Sequence, residues 1–159
     1  MDDTTEGLSA MKDVIHFLVP GINFDNGGIK SDDITQYLLS HGIKNIMYNP
    51  ENTDTENHNN LLSLNANTST SMSVLNVIMS LPERVEHIKM MKKYTIPTGI
   101  FVFKIYEGTR NYISSYTGTK YEQLNRPIES YESLLRAEFK YVLMYKSRSM
   151  FVCCGAHEP

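Results

Sequence analysis

From residue 99 onward the chain is written at the period of a β-sheet, and this limits its fold more than any other feature. The runs GIFVFKIY (99–106), RNYISSY (110–116), KYEQL (120–124), EFKYVLMYK (138–146) and MFVCC (150–154) are rich in β-branched and aromatic residues. The glycine-bearing turns EGT and TGT separate the first three, and SRS separates the last pair. Neighbouring runs are therefore expected to pair as antiparallel hairpins. NRPIESYESLLR (125–136) reads equally well as loop or as a helical turn.

Such a sheet has an apolar face that another element must cover. The strongest helical signal is SVLNVIMSLPERVEHIKMMKK, where Ser80 and Glu83 form a capping box with Pro82 in the first turn. Val85, Ile88 and Met91 fall at helical spacing, and Lys92 and Lys93 suit the C-terminal end. Upstream, Val74, Val77, Ile78 and Leu81 keep the period, which predicts one helix over about 72–93, bent or interrupted near Pro82. A shorter helix is expected near 32–41, with Ser31 as N-cap and Gly42 as its close. The predicted fold class is α+β: a mostly antiparallel β-sheet wrapped around one main α-helix.

The remaining segments complete that picture. Residues 1–12 read as a flexible leader and 13–159 as a single globular domain. DVIHFLV (13–19), stopped by Pro20-Gly21, suits a buried strand, and FDNGGI (24–29) is turn chemistry. NIMY (45–48) and LLSL (61–64) read as short strands, NPENTDTENHNN (49–60) as a long exposed loop, and NANTSTS (65–71) as loop again. A glycosylation triplet at Asn67-Thr68-Ser69 matters only on a secretory route.

With 159 residues, 41% hydrophobic and 21% charged, the chain is globular and large enough for one core. No apolar window is long enough for a membrane span, and the acidic start MDDTTEGLSAMKD is neither a signal nor a transit peptide. Residues 1–60 hold ten acidic and three basic residues, and residues 61–159 hold eight acidic and twelve basic. That excess is too weak for a nucleic-acid binder, which concentrates its charge in a stripe. Cys153 and Cys154 are adjacent and point to opposite faces of a strand, so no disulfide framework exists, as expected of a protein made in the cytosol.

The chemistry-bearing motifs are few. Five histidines show no metal-ligand spacing, and neither metal nor cofactor is predicted. Asp25-Asn26-Gly27-Gly28 lacks both the lysine and the strand-to-helix setting of a phosphate loop. His16 and His87 would make a two-histidine hydrolase only with a hydroxyl two positions after each, where Leu18 and Lys89 stand. Cys153 and Cys154 lie in an apolar strand and read as inert core. No catalytic residue is predicted, and the chain reads as a non-enzyme.

The candidate site is YEGTRNYISSYTGTKY (106–121). If 99–106 and 110–116 form a hairpin, Tyr106 faces Arg110 and Lys104 faces Tyr112. Lys104, Tyr106, Arg110, Tyr112, Ser114 and Tyr116 then share an outer face, and Phe101, Phe103, Ile105 and Ile113 the core face. Tyrosine rings with hydroxyl tips suit a shallow glycan- or protein-binding surface, though they are equally good exposed-strand residues.

Taken whole, with SLPERVEHIKMMKKY followed by GIFVFKIY through MFVCC, the chain resembles the glycan-binding head of the group B rotavirus spike protein. That resemblance implies a β-sheet clasping one helix and a virion-surface attachment domain made in the host cytoplasm. It further implies N-acetyllactosamine-type cell-surface glycans and the rest of the spike protein as partners. A second reading is an intracellular viral protein acting on a host partner through its acidic first third and the 49–60 loop. The two-histidine hydrolase is third.

Overall fold

A computed structural model describes residues 3–27, 31–49, 61, 63–108, 115–116, 122–123 and 126–155. Its main sheet has six strands in the order β2-β1-β3-β4-β8-β7. These are β1 (Gly21–Asn26), β2 (Ile43–Tyr48), β3 (Ala66–Met72), β4 (Thr95–Lys104), β7 (Tyr141–Tyr145) and β8 (Met150–Cys154). The first four are mutually parallel, and β8 runs antiparallel to both β4 and β7. A two-residue pair, β5 (Ser115–Tyr116) with β6 (Glu122–Gln123), stands apart.

Helices cover both faces. On one side lie α1 (Asp3–Val14) and α2 (Asp32–Ser40), where Met11, Val14, Ile34 and Leu38 pack on Val102, Met150 and Val152. On the other lie α3 (Leu81–Lys93) and α4 (Glu132–Glu138), where Ile88, Met91, Leu135 and Phe139 pack on Phe101, Phe103, Phe151 and Cys153. Adjacent residues of β4 and β8 thus enter opposite cores, which is why both strands read as unbroken apolar runs. The mostly antiparallel sheet around one helix is overturned: this is an α/β sheet, parallel across four strands and layered on both sides.

Several local expectations change with it. The apolar run 13–19 is not a strand. It carries a helical stripe in which Met11, Val14 and Leu18 are all buried, and α1 ends in a 3₁₀ turn at Ile15–Phe17. Most of α1 lies in the stretch 1–12 that the sequence presents as a leader. The helix expected over 72–93 begins only at Leu81, because Pro82 sits in its first turn and Ser80 Oγ accepts the Glu83 N–H at 3.3 Å. Upstream of it lie the end of β3, Ser73 with φ of +58°, and a 3₁₀ turn at Leu75–Val77.

The greatest departure is NANTSTS. It forms β3, a central strand with Thr68, Ser69, Thr70 and Ser71 buried. Each hydroxyl has a partner there. Thr68 Oγ1 donates to Asn23 Oδ1 at 2.9 Å, Ser69 Oγ to the Phe24 carbonyl at 2.9 Å, and Thr70 Oγ1 to Asp25 Oδ1 at 3.0 Å. Asn23 Nδ2 donates in turn to Thr70 Oγ1 and Asn45 Oδ1, both at 2.9 Å. A buried polar strand is stable when its donors and acceptors are matched, and hydropathy cannot show that matching.

Candidate functional site

Two of the parallel crossovers leave the centre of the sheet in opposite directions. β1 continues through α2 to β2 at one edge, and β3 continues through α3 to β4 on the other side. The carboxyl ends of β1 and β3 therefore diverge, which is where open α/β sheets hold their ligands. Gly27 stands at that point with φ of +91°, and a Cβ there would lie 3.0 Å from both Val74 methyls. Only glycine makes this exit from β1 without strain. The strand-to-helix setting denied to Asp25-Asn26-Gly27-Gly28 is thus present, with α2 starting at Asp32 behind the N-cap Ser31. Residues 28–30 lie outside the described residues.

Two titratable groups flank the switch point. Asp25 is buried, and burial raises its pKa from 3.8 to about 6 against the opposing hydrogen bond from Thr70. His87, on α3, is lowered by burial from 6.5 to about 4. Its proton position follows from its neighbours. Asn26 Nδ2 donates to the His87 carbonyl at 3.0 Å, which fixes the amide orientation, and the same Nδ2 faces His87 Nδ1 at 3.2 Å. Nδ1 therefore accepts, and the proton sits on Nε2, donated to Ser71 Oγ at 2.7 Å. A His87 that donates to Ser71 cannot take the Ser71 proton, so the pair is a brace between α3 and β3 and not an activated nucleophile.

Two open pockets lie along this carboxyl edge. One, of about 580 Å³, is lined by Asn26, Tyr48, His87, Met90 and Tyr94 among others. The other, of about 620 Å³, lies at the ends of β3 and β4 and is lined by residues including His16, Ser73, Lys104, Tyr106, Glu107 and Arg148. His16 and His87 line different pockets, so the shared-histidine hydrolase has no common site. Cys153 and Cys154 are free and buried, and burial pushes both thiols up, away from reactivity.

Of the six residues expected to share an outer face, two are placed in full. Lys104 Nζ bonds Asp13 Oδ2 at 2.8 Å, and Tyr106, 57% exposed, lies beside it on the second pocket. Lys104 stands in register with Met72 on one side and Met150 on the other, so it does not pair with Tyr112, and the expected Tyr106–Arg110 pairing lies outside the described residues. Arg110, Tyr112 and Ser114 lie outside the described residues, and of Tyr116 only the backbone, in β5, is described. Most of the 49–60 loop also lies outside them. No group of metal-ligating side chains occurs among the described residues, and none of their helices is long and apolar enough to cross a membrane.

The sequence matches no family model and no curated protein. Solved structures do match the fold. The Burkholderia thailandensis 1,6-didemethyltoxoflavin-N1-methyltransferase, solved with 1,6-didemethyltoxoflavin and S-adenosylhomocysteine, superimposes with a TM-score of 0.66 over 95% of this chain and 77% of its own, at 13% identity. The two share an α/β Rossmann-like fold. A sugar N-methyltransferase from Streptoalloteichus gives 0.62 over 98% and 89% at 10% identity. An amino pentose methyltransferase from Micromonospora echinaspora gives 0.52 over 96% and 91% at 12% identity. This likeness overturns the resemblance to a rotavirus spike head. With it fall the glycan-attachment and host-interaction readings, the glycan and spike partners, the virion-surface location and the inference of a non-enzyme.

The signal for this site in the sequence is Asp25-Asn26-Gly27, but the strand it closes, GINFDN, is half polar and does not read as a strand by hydropathy.

Proposed function

We propose that this chain is an S-adenosylmethionine-dependent methyltransferase acting on a small-molecule acceptor. The observation that carries the proposal is the glycine exit at the β1/β3 switch point, set in a sheet that matches methyltransferases along nearly its whole length.

The residues present fit the cofactor. Gly27 lets the backbone approach a ligand where a Cβ would collide with Val74, and the turn leads into α2, whose first N–H groups favour negative charge. Asn49 follows β2 at the carboxyl edge, where such sheets present a polar side chain to a ribose. When bound, S-adenosylmethionine supplies a methyl group on a positively charged sulfur, open to attack by a nucleophilic nitrogen or oxygen. The chain's own task is then to hold the acceptor and receive its proton. In the larger pocket, His16 is the group placed to do so, since Asp13 is held by Lys104 at 2.8 Å and Glu107 is engaged by Ser149 Oγ at 2.6 Å and the Ile128 N–H at 3.2 Å.

Calorimetric titration with S-adenosylhomocysteine is the direct test, with expected affinity on the order of 1–100 µM. Gly27→Val should weaken binding roughly tenfold or more while circular dichroism stays native. A folded wild-type sample that shows no saturable binding overturns the proposal. Saturation by NAD in its place would reassign the switch point to a dinucleotide.

A further inference from the structure

We propose that the acceptor is an anionic small molecule, a carboxylate or phosphate ester, gripped by Arg148 in the pocket at the ends of β3 and β4. This rests on the methyltransferase reading above, because it names the substrate class of the same edge of the sheet.

The pocket is lined by three fixed cations, Lys12, Lys104 and Arg148, and two carboxylates, Asp13 and Glu107. Both carboxylates are committed. Asp13 holds Lys104 at 2.8 Å, and Glu107 accepts from the Ser149 hydroxyl and the Ile128 N–H. Lys12 lies over the Tyr37 ring, 5.7 Å from its centroid. Arg148 has no ion pair or hydrogen bond among the described residues, so it is the cation left for a ligand.

Its position is built, not incidental. Arg148 closes the 3₁₀ turn Lys146–Arg148, and the next residue, Ser149, has φ of +49° and ψ of +52°, left-handed for a non-glycine residue. Three contacts hold that conformation. The Ser149 hydroxyl donates to Glu107 at 2.6 Å, its carbonyl accepts the Ile105 N–H at 2.8 Å, and its own N–H reaches the Lys146 carbonyl at 3.2 Å. A strained residue fastened to the end of β4 fixes the turn that presents the guanidinium. Glu107 is thus a positioning residue, its carboxylate bonded to the turn. A guanidinium with two parallel donors matches a carboxylate or phosphate better than an ammonium does.

The test is a titration of the full chain, saturated with S-adenosylhomocysteine, with inorganic phosphate and separately with acetate at constant ionic strength. Amide resonances are followed by NMR. Saturable shifts are expected at Ser73, Ile105–Gly108 and Ser147–Ser149, with Kd on the order of 1–10 mM. Arg148→Ala should raise Kd at least about tenfold and Arg148→Lys about threefold, with the spectrum elsewhere unchanged. Shifts that are absent, fail to saturate or persist unchanged in Arg148→Ala overturn the anion site. If S-adenosylhomocysteine fails to bind but phosphate saturates at Arg148, the anion site stands and the methyltransferase reading falls. Acetate binding without phosphate binding assigns the carboxylate class, and the reverse assigns the phosphate.

Discussion

β3 and β4 lie side by side at the centre of the sheet, both largely buried from Thr68 to Ser71 and from Ile100 to Phe103, and opposite in chemistry. From Thr68 to Ser71, β3 presents only hydroxyls, while its register partners on β4 are Ile100, Phe101, Val102 and Phe103. β4 is held by surface removed from water, about 25 cal/mol per Å² of apolar area, and needs only shape to fit its neighbours. β3 gains little from transfer and needs a named partner for every hydroxyl. The difference shows in what each strand serves. Apolar β4 anchors the antiparallel half of the sheet through β8, whereas polar β3 ties β1 and α3 together at the switch point.

The largest break falls on β4. Phe103 is fully buried against Phe139, ring centroids 5.9 Å apart. Phe103→Ala should cost about 3–5 kcal/mol, read from urea unfolding midpoints with an unchanged slope. A cost below about 1 kcal/mol would mean the two cores are not packed as described.

The contrast sharpens at one pair in register, Thr70 and Val102, both fully buried. Thr70→Val keeps the volume but removes the acceptor of Asn23 Nδ2 and the side-chain donor to Asp25. Stranding two polar groups should cost about 2–4 kcal/mol. The reciprocal Val102→Thr places a hydroxyl among Met11, Val14 and Val152 and should cost about 1–3 kcal/mol. If Thr70→Val is neutral or stabilising, the polar network is tolerated and not required.

The same contrast decides what the sequence could reveal. MFVCC pairs with YVLMY, the centre of EFKYVLMYK, and Ser80 with Pro82 and Glu83 marks the true start of α3. These elements state their partners in apolar residues. β1 and β3, GINFDN and ANTSTS, have no such stripe, since apart from Phe24 and Ala66 their buried positions are Asn, Asp, Ser and Thr. Read by hydropathy they are turns, so the parallel half vanishes and an antiparallel sheet around one helix is all that remains. The site vanishes with it, because the switch point exists only between those two strands. Lys104 and Tyr106 line one of the open pockets, and their neighbours there include Asp13, Ser73 and Arg148, distant in sequence.

The smallest effect concerns the two titrations hung on β3. His87, at about 4 in the fold against an ordinary 6.5, stays neutral while the unfolded chain takes up its proton. Its contribution to stability is complete above about 6.5 and is lost as the pH falls toward 4. Asp25, held up to about 6 against 3.8, behaves oppositely: the fold binds its proton first, so stability is gained as the pH falls from about 6 toward 3.8. Between pH 6 and 4 each amounts to about 2 kcal/mol, with opposite sign, so their sum is nearly flat. Removing either should expose the other. Asp25→Asn should lose about 2 kcal/mol more than wild type on going from pH 6 to 4, and His87→Gln should gain about as much relative to wild type. Urea unfolding at the two pH values measures both differences, with the other carboxylates cancelling between variants. Parallel pH profiles for wild type and both variants would mean that neither group is buried as the packing around β3 requires.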